Sequence, residues 1–399
     1  MDFAISPKAV EYRTNLQDFM AIHIYPAESI YHAWRNEQPH DSHEPPPMMK
    51  ELREQARARG LWNLFLPAES GLSALDYAPL AELTGRSPDL APEALNCAVP
   101  DTGTMETLHL FGTPEQRRTW LKPLLAGEIR SAYAMSEPDV ASSDAVNIAT
   151  SIVRDGASYV IDGRKWFITG AADPRCRFLI VVGRTDPDAP PHRRHSQVIV
   201  PIDTPGVTVV RNLPLFGFQD RPGHCEIDFT GVRVPVANLI GGEGEGFAIA
   251  QARLGPGRVH QCMRAIGMAE RAIELMCARA VSRVAFGAPL ADQGVVRQWI
   301  AESRIAVEQA RLLVLKTAWM IDNVGAKEAR NEISAIKIVV PRVVCEVVDR
   351  AIQIHGALGV SDDTPLAAMY AKARALRILD GPDEVHLRAV ARRELKPYR

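Results

Sequence analysis

The stretch SIVRDGASYVIDGRKWFITG, residues 151–170, interrupts an otherwise helical chain. It holds two Asp-Gly pairs, Asp155-Gly156 and Asp162-Gly163, between short β-prone runs. Asp-Gly between such runs is a hairpin signal, because a tight hairpin turn needs positive φ at its centre. Four more runs follow: RFLIVVGRT (177–185), SQVIVPID (196–203), GVTVVRN (206–212) and CEIDFTGVRVP (225–235). Pro, Gly and Asp turns separate them. The expected element is an antiparallel β domain.

On either side the period is helical. In MMKELREQARARG (48–60), Gly60 is a plausible C-cap, and in TPEQRRTWLKPLL (113–125) Thr113 reads as an N-cap with Pro114 at the first helical position. Later in the chain, Ile305, Leu312, Leu315 and Trp319 are expected to line the buried face of one helix. Ile333, Ile336, Val340, Val343, Val347, Ala351 and Ile354 are expected to line that of another, kinked at Pro341. The fold class is therefore α+β and multi-domain: an N-terminal helical domain over 1–130, a β domain over 131–243 and a C-terminal helical bundle over 244–399.

The 399 residues are 46% hydrophobic with a formal charge of −2. A near-neutral balance argues against a nucleic-acid binder. No apolar run approaches the roughly 18 residues of a membrane span. MDFAISPKAVEYR has no basic region followed by an apolar one, so no export signal is expected. The six cysteines are scattered without C-x-x-C, which suits a reducing cytoplasm rather than zinc or a disulfide framework.

Several segments invite chemistry. GGEGEG (241–246) suggests a phosphate loop, but Glu243 and Glu245 repel phosphate, and a flexible linker is the simpler reading. His40, Asp41, His43 and Glu44 lack a scaffold to fix metal geometry, so no metal is expected. PHRRHS (191–196) reads as a solvated basic tip or a neighbour of an anionic ligand. AYAMSEPDVASSDA (132–145) is dense in hydroxyls and small residues, which suits hydrogen bonding to a ring bearing carbonyls and nitrogens. In LGPGRVH (254–260), glycines admit a ligand close to the backbone and Arg258 suits a phosphate or carboxylate; the alternative is a broken helix with a surface arginine.

Together these segments resemble the acyl-CoA dehydrogenase family over nearly the whole chain. YAMSEPDVASSD (133–144) is similar to the family's flavin loop, usually T-E-P-G-A-G-S-D. KWFITG (165–170) is similar to its W-I-T segment, with Phe167 where tryptophan is usual. SRVAFG (282–287) is similar to R-x-x-F-G, and QIHGALG (353–359) to Q-x-x-G-G, with Ala357 for the second glycine. The match is closest to the branch of family members 10 and 11, through RLGPGR, WIAESRIA and DGPDEVH. It covers their dehydrogenase part, without the kinase-like domain of the animal members.

The resemblance implies FAD contacts at Tyr133, Met135, Ser136, Ser142, Ser143, Phe167, Ile168 and Thr169, with Thr169 near flavin N5. It implies further FAD contacts, toward a neighbouring subunit, at Arg283, Phe286, Gln353, Gly356 and Ala357, and others at Pro382 and Glu384. Substrate contacts fall on Gly255, Gly257, Arg258, Gly381 and a serine. An extra residue before Asp144 leaves Ser142 and Ser143 as alternatives for that serine, and counting back favours Ser143. The implied partners are an acyl-CoA substrate, an electron-transferring flavoprotein as acceptor and copies of the chain in a homotetramer or homodimer. The implied role lies in fatty-acid β-oxidation.

The implied reaction is α-proton abstraction from a thioester with β-hydride transfer to flavin N5, giving a trans-2-enoyl-CoA. RILDGPDEVH (377–386) aligns Asp380 with the family's glutamate base. Flanked by Ile378 and Leu379, which look buried, its carboxylate would be desolvated and its pKa raised toward the working pH. Asp is shorter than Glu by about 1.5 Å, so the Gly-Pro corner is expected to carry it closer. Glu384 ranks second as base and Asp383 third. Gly257 excludes the base position on the helix that other branches use. The competing readings are a flavin oxidase of a nitroalkane-like substrate and an acyl-CoA-binding protein that has lost catalysis.

Overall fold

The structure is a computed structural model. It describes every residue except His40, Gln219 and Asp220, and the side chains of all but Leu254 and Pro256 among the rest. The chain divides into two compact units. One comprises Met1–Ile30, Glu51–Leu95 and Gly257–Arg399; the other comprises Tyr31–Lys50 and Asn96–Pro256.

The second unit is built on one sheet. Its strands are β1 (Arg130–Ala134), β2 (Ser151–Asp155), β3 (Ser158–Thr169), β4 (Cys176–Arg184), β5 (His195–Pro201), β6 (Val207–Asn212), β7 (His224–Pro235) and β8 (Leu239–Ile240). The spatial order is β6-β7-β3-β2-β4-β5-β8, with β1 also on β4. Pairing is antiparallel except that β4 runs parallel to β1 and touches β2 in parallel. β1 is followed not by a hairpin but by the long excursion 135–150, which places it beside a strand of the same direction. Ala132, Ala134, Ile152, Ile161, Val181, Val198, Ile227 and Val232 form part of its core. Along a strand the core residues alternate, as at Ala132 and Ala134, Leu179 and Val181, Val198 and Val200, and Cys225, Ile227 and Phe229.

Asp155-Gly156 forms the expected hairpin, with Asp155 opposite Ser158 and Gly156 at φ +59°. Asp162-Gly163 does not turn the chain. It lies inside β3, where the register against β7 shifts between Ile161 and Gly163. A Cβ on Gly163 would stand 2.5 Å from Thr150 Oγ1, so glycine here serves a close backbone approach at a bulge, not a turn. Thr113 caps its helix as expected, in a capping box with Gln116.

The first unit is helical. Gly294–Val324 packs on Arg330–His355, followed by Leu366–Leu376 and Asp383–Glu394. The stripe from Ile333 to Ile354 is inward as expected, although Val343 is only half-buried. The helix Arg330–His355 continues through Pro341. The other expected stripe holds only in part: Ile305 and Leu312 are 57% and 53% exposed, while Leu315 and Trp319 are half-buried. Burial falls on the opposite face, at Ser303, Val307, Ala310, Val314, Thr317 and Ala318. Small and β-branched side chains there permit close helix contact, which outweighs the larger apolar area of Ile and Leu.

Within the same unit the helix Ala74–Gly85 crosses the later part of Gly246–Ser282 at two glycines. A Cβ on Gly85 would lie 1.9 Å from the Arg264 carbonyl oxygen, and one on Gly267 1.8 Å from that of Glu82. Backbone meets backbone at this crossing, which fixes the helix that carries Arg258. Among the described residues no helix is long and apolar enough to cross a membrane.

Candidate functional site

In the second unit the hydroxyl-rich loop is held from beneath. Lys165, fully buried on β3, donates to Glu137 Oε1 at 2.8 Å and to the carbonyls of Met135 and Val182 at 2.9 and 2.6 Å. Glu137 also accepts from the amides of Ala149 and Thr150. Burial opposes its charge, but Lys165 and these donors hold its carboxyl below the usual range. Neither residue stood out in the sequence. The available signal was a lysine at an inward position of an alternating strand.

The two candidate serines separate. Ser142 Oγ accepts from the Glu137 amide at 2.8 Å and so ties the loop to itself. Ser143 is exposed and makes no hydrogen bond among the described residues. Tyr133 ends in a bond from Gln197 Nε2, and the Arg253 guanidinium stacks 3.9 Å from its ring centre. Met135 and Ser136 are half-buried, and the Ser136 carbonyl accepts from the Trp166 amide.

At the end of β3 the ladder to β7 breaks between Lys165 and Ile168. Phe167, inside the break, is 37% exposed and left-handed at φ +51°. Ile168 turns inward. Thr169 pairs with His224 across the sheet, and Thr169 Oγ1 and His224 Nδ1 are hydrogen-bonded at 2.9 Å.

The helix Gly246–Ser282 runs unbroken through Gly255-Pro256-Gly257, so the broken-helix alternative falls. A Cβ on Gly255 or Gly257 would meet nothing within 4 Å among the described residues. The preceding GGEGEG loop is not a flexible linker. Glu245 accepts from the Gly242 amide, Glu243 from Tyr159, and the Gly244 amide donates to Ser196. At the PHRRHS tip, Arg193 is exposed, His192 stacks on Phe247, and His195 is buried against the Ile148 carbonyl. His43 Nδ1 donates to the Arg221 carbonyl; His40 lies outside the described residues. No three His, Cys, Asp or Glu side chains cluster for a metal among the described residues.

In the first unit the three carboxylates of 377–386 take three different fates. Asp383 is 2% exposed and lies between Arg342 and Arg377, at 3.0 and 2.9 Å. Glu384 is exposed in the first turn of the last helix, where the dipole favours negative charge. Asp380 is half-buried on a left-handed turn at φ +53°. The expected apolar flank is present only in part: Ile378 is 61% exposed, while Leu379 is half-buried. The turn's carbonyl groups point inward instead and draw polar side chains to them.

Those side chains come from three helices. Arg258 Nε and His386 Nε2 donate to the Asp380 carbonyl at 2.9 and 3.3 Å. Lys337, 1% exposed, donates to the carbonyls of Leu376 and Leu379. Gln261 Nε2 donates to Asp380 Oδ2 at 2.7 Å. Among the described residues, Asp380 Oδ1 and the Asp380 amide have no hydrogen-bond partner. Gly381, at φ +100°, leaves room for His386, whose Nε2 would lie 2.8 Å from a Cβ there. Pro382 is the N-cap residue of the last helix.

The comparisons agree with this layout. Family models for the N-terminal, middle and C-terminal domains of acyl-CoA dehydrogenase match residues 6–128, 132–232 and 244–395. The chain belongs to the acyl-CoA dehydrogenase family. It is 65% identical to FadE2 of Mycobacterium tuberculosis, named a probable acyl-CoA dehydrogenase, over 99% of this chain and 97% of that protein. It is 52% identical to acyl-CoA dehydrogenase family member 11 of Rattus norvegicus, matching 99% of this chain but 51% of the rat protein. The butyryl-CoA dehydrogenase structure from Megasphaera elsdenii aligns at TM-score 0.84 and 26% identity, covering 99% of this chain and all of that one.

The family is a flavin-dependent group of oxidoreductases that use acyl-CoA substrates, and the residues of this acyl-CoA dehydrogenase fit a flavin. Phe167 stands free of the ladder, Thr169 presents an oriented hydroxyl, and Gly255 leaves a space that no side chain of the described residues fills. The residues matched to the neighbour-reaching motifs are at the surface: Arg283, Phe286, Gln353, Gly356 and Ala357 are all exposed. Phe286 is left-handed at φ +52° and fully exposed.

Proposed function

We propose that this chain is an acyl-CoA dehydrogenase in which Asp380 removes the α-proton of an acyl-CoA thioester on the way to the trans-2-enoyl-CoA. One observation carries the assignment of the base. Of three neighbouring carboxylates, Asp380 alone is neither locked between arginines nor out in solvent, and one of its oxygens has no hydrogen-bond partner among the described residues. The Asp380 amide, likewise unbonded, suits a thioester oxygen as charge develops there. Arg258, with Gly255, Gly257, Gly381 and Ser143, would bind the substrate.

FAD, when bound, supplies the acceptor for the β-hydrogen. Tyr133, Met135, Ser136, Phe167, Ile168 and Thr169 would hold it, Ser142 would keep their loop in shape, and Pro382 and Glu384 would add contacts. Arg283, Phe286, Gln353, Gly356 and Ala357 would serve the FAD of a second copy in a dimer or tetramer. The exposed apolar side chains of Val281, Val284 and Phe286 beside Arg283 support that reading. An electron-transferring flavoprotein would take the electrons onward.

The test is the visible spectrum of the purified protein, recorded without oxygen before and after a panel of acyl-CoAs. Flavin bands that bleach with one class of chain, and no longer do so in Asp380→Asn, support the proposal. A protein that cannot take up FAD sinks it. Bleaching only by substrates that lack CoA points to an oxidase.

A further inference from the structure

We infer that Gln261 is the positioning residue that aims the Asp380 carboxylate. The inference rests on the proposed role of Asp380 as base. Arg258, His386 and Lys337 all grip main-chain carbonyls of the turn. They fix where the backbone lies but leave the Asp380 side chain free to rotate. Gln261 Nε2, at 2.7 Å from Oδ2, is the one hydrogen-bond donor to that carboxylate among the described residues.

Two features show that this contact is not incidental. Gln261 lies three residues beyond Arg258, so both project from one helix face toward the same turn. One side chain therefore holds the main chain of Asp380 while the next holds its carboxylate. In addition, Gln261 Oε1 is buried without a partner. A buried orphan acceptor is costly and uncommon. Turning the amide over would set that oxygen against the carboxylate, so the bond to Asp380 dictates its orientation.

The consequence concerns direction. Anchoring Oδ2 turns Oδ1 into the proton-accepting atom and removes the rotation that a short aspartate base can least tolerate. The other ionisable groups facing the turn are Arg258 and Cys262 on the same helix, Lys337, Asp383 and His386. Burial pushes the Cys262 thiol up to about 12 and His386 down to about 4. Both are therefore neutral near pH 7.

The experiment is the pH dependence of kcat and kcat/KM for Gln261→Met and Gln261→Glu beside Asp380→Asn. Thermal melting and bound flavin per chain serve as controls for folding. Gln261→Met keeps the volume and removes the donor. It should lower kcat about tenfold, with KM within about threefold. Gln261→Glu sets a like charge against Asp380 and should lower kcat further. Wild-type profiles in both variants, with Asp380→Asn inactive, overturn the inference and leave Asp380 as base. An active Asp380→Asn overturns the role of Asp380 and the inference with it. If Gln261→Met does not fold, Gln261→Glu decides alone.

Discussion

Lys165 and Glu137 form an ion pair at 2.8 Å in which neither side chain is more than 5% exposed. It lies directly under the hydroxyl-rich loop, since Lys165 also holds the Met135 carbonyl and Glu137 the amides of Ala149 and Thr150. Removing one partner strands the other, which costs about 3–5 kcal/mol. Glu137→Gln should therefore be destabilised by about that amount at pH 7. The pair also predicts acid sensitivity. The Glu137 carboxyl is held below its ordinary 4.5, so its contribution is complete above that value and is lost as pH falls through the lower folded one. Burial pushes Lys165 down to about 8, so it stays charged at neutral pH. Melting curves from pH 7 to 3.5 should show wild type losing more stability on acidification than Glu137→Gln. Parallel curves would contradict the assignment.

The two serines of the loop should behave oppositely. Ser142→Ala leaves the Glu137 amide without its acceptor and should cost about 1 kcal/mol of stability. Ser143→Ala touches no hydrogen bond of the described residues and should leave the melting temperature unchanged. Its effect should appear as a weaker KM for the thioester. Melting and steady-state kinetics on both variants check this; a Ser143→Ala loss confined to stability would reverse the roles.

Much of the fold was legible because hydrophobic period reports it directly. The strands at 176–184, 195–201, 207–212 and 224–235 each coincide with a run between turn residues. The errors have physical causes. Period alone located an apolar face on Gly294–Val324 but not the buried one, because small residues such as Ala310 allow closer packing than Ile305 or Leu312. Asp162-Gly163 has the wording of a turn but the function of a bulge. The resemblance singles out Asp380 as the proposed base, but the apolar flank read from the sequence differs from the structure, since Ile378 points out. Gln261 was invisible because its partner lies 119 residues away.

The glycine crossing makes a sharp stability test. Gly267→Ala places a methyl group 1.8 Å from the Glu82 carbonyl oxygen, and backbone cannot yield as a side-chain tip can. The substitution should cost about 3 kcal/mol or more, at or above the usual range for overpacking. Gly257→Ala, on the same helix but with nothing within 4 Å of its Cβ, should fold with near wild-type stability and instead bind acyl-CoA more weakly. Chemical denaturation of both, with acyl-CoA titration of the second, separates packing from ligand access.

Phe286 offers a test of assembly. A fully exposed phenylalanine in a left-handed conformation contributes little to the isolated chain. With Val281 and Val284, 68% and 60% exposed, it forms apolar surface of the kind that marks a contact with another protein. Phe286→Ser should therefore leave secondary structure intact and shift sedimentation velocity toward smaller species on dilution. Arg283→Ala should sediment as wild type but lose FAD during gel filtration, because its proposed role is to hold a neighbour's cofactor. A Phe286→Ser protein that keeps its size at every concentration would remove this segment from the interface. A concentration-dependent size with unchanged FAD retention in Arg283→Ala would keep the interface and withdraw the arginine from the cofactor.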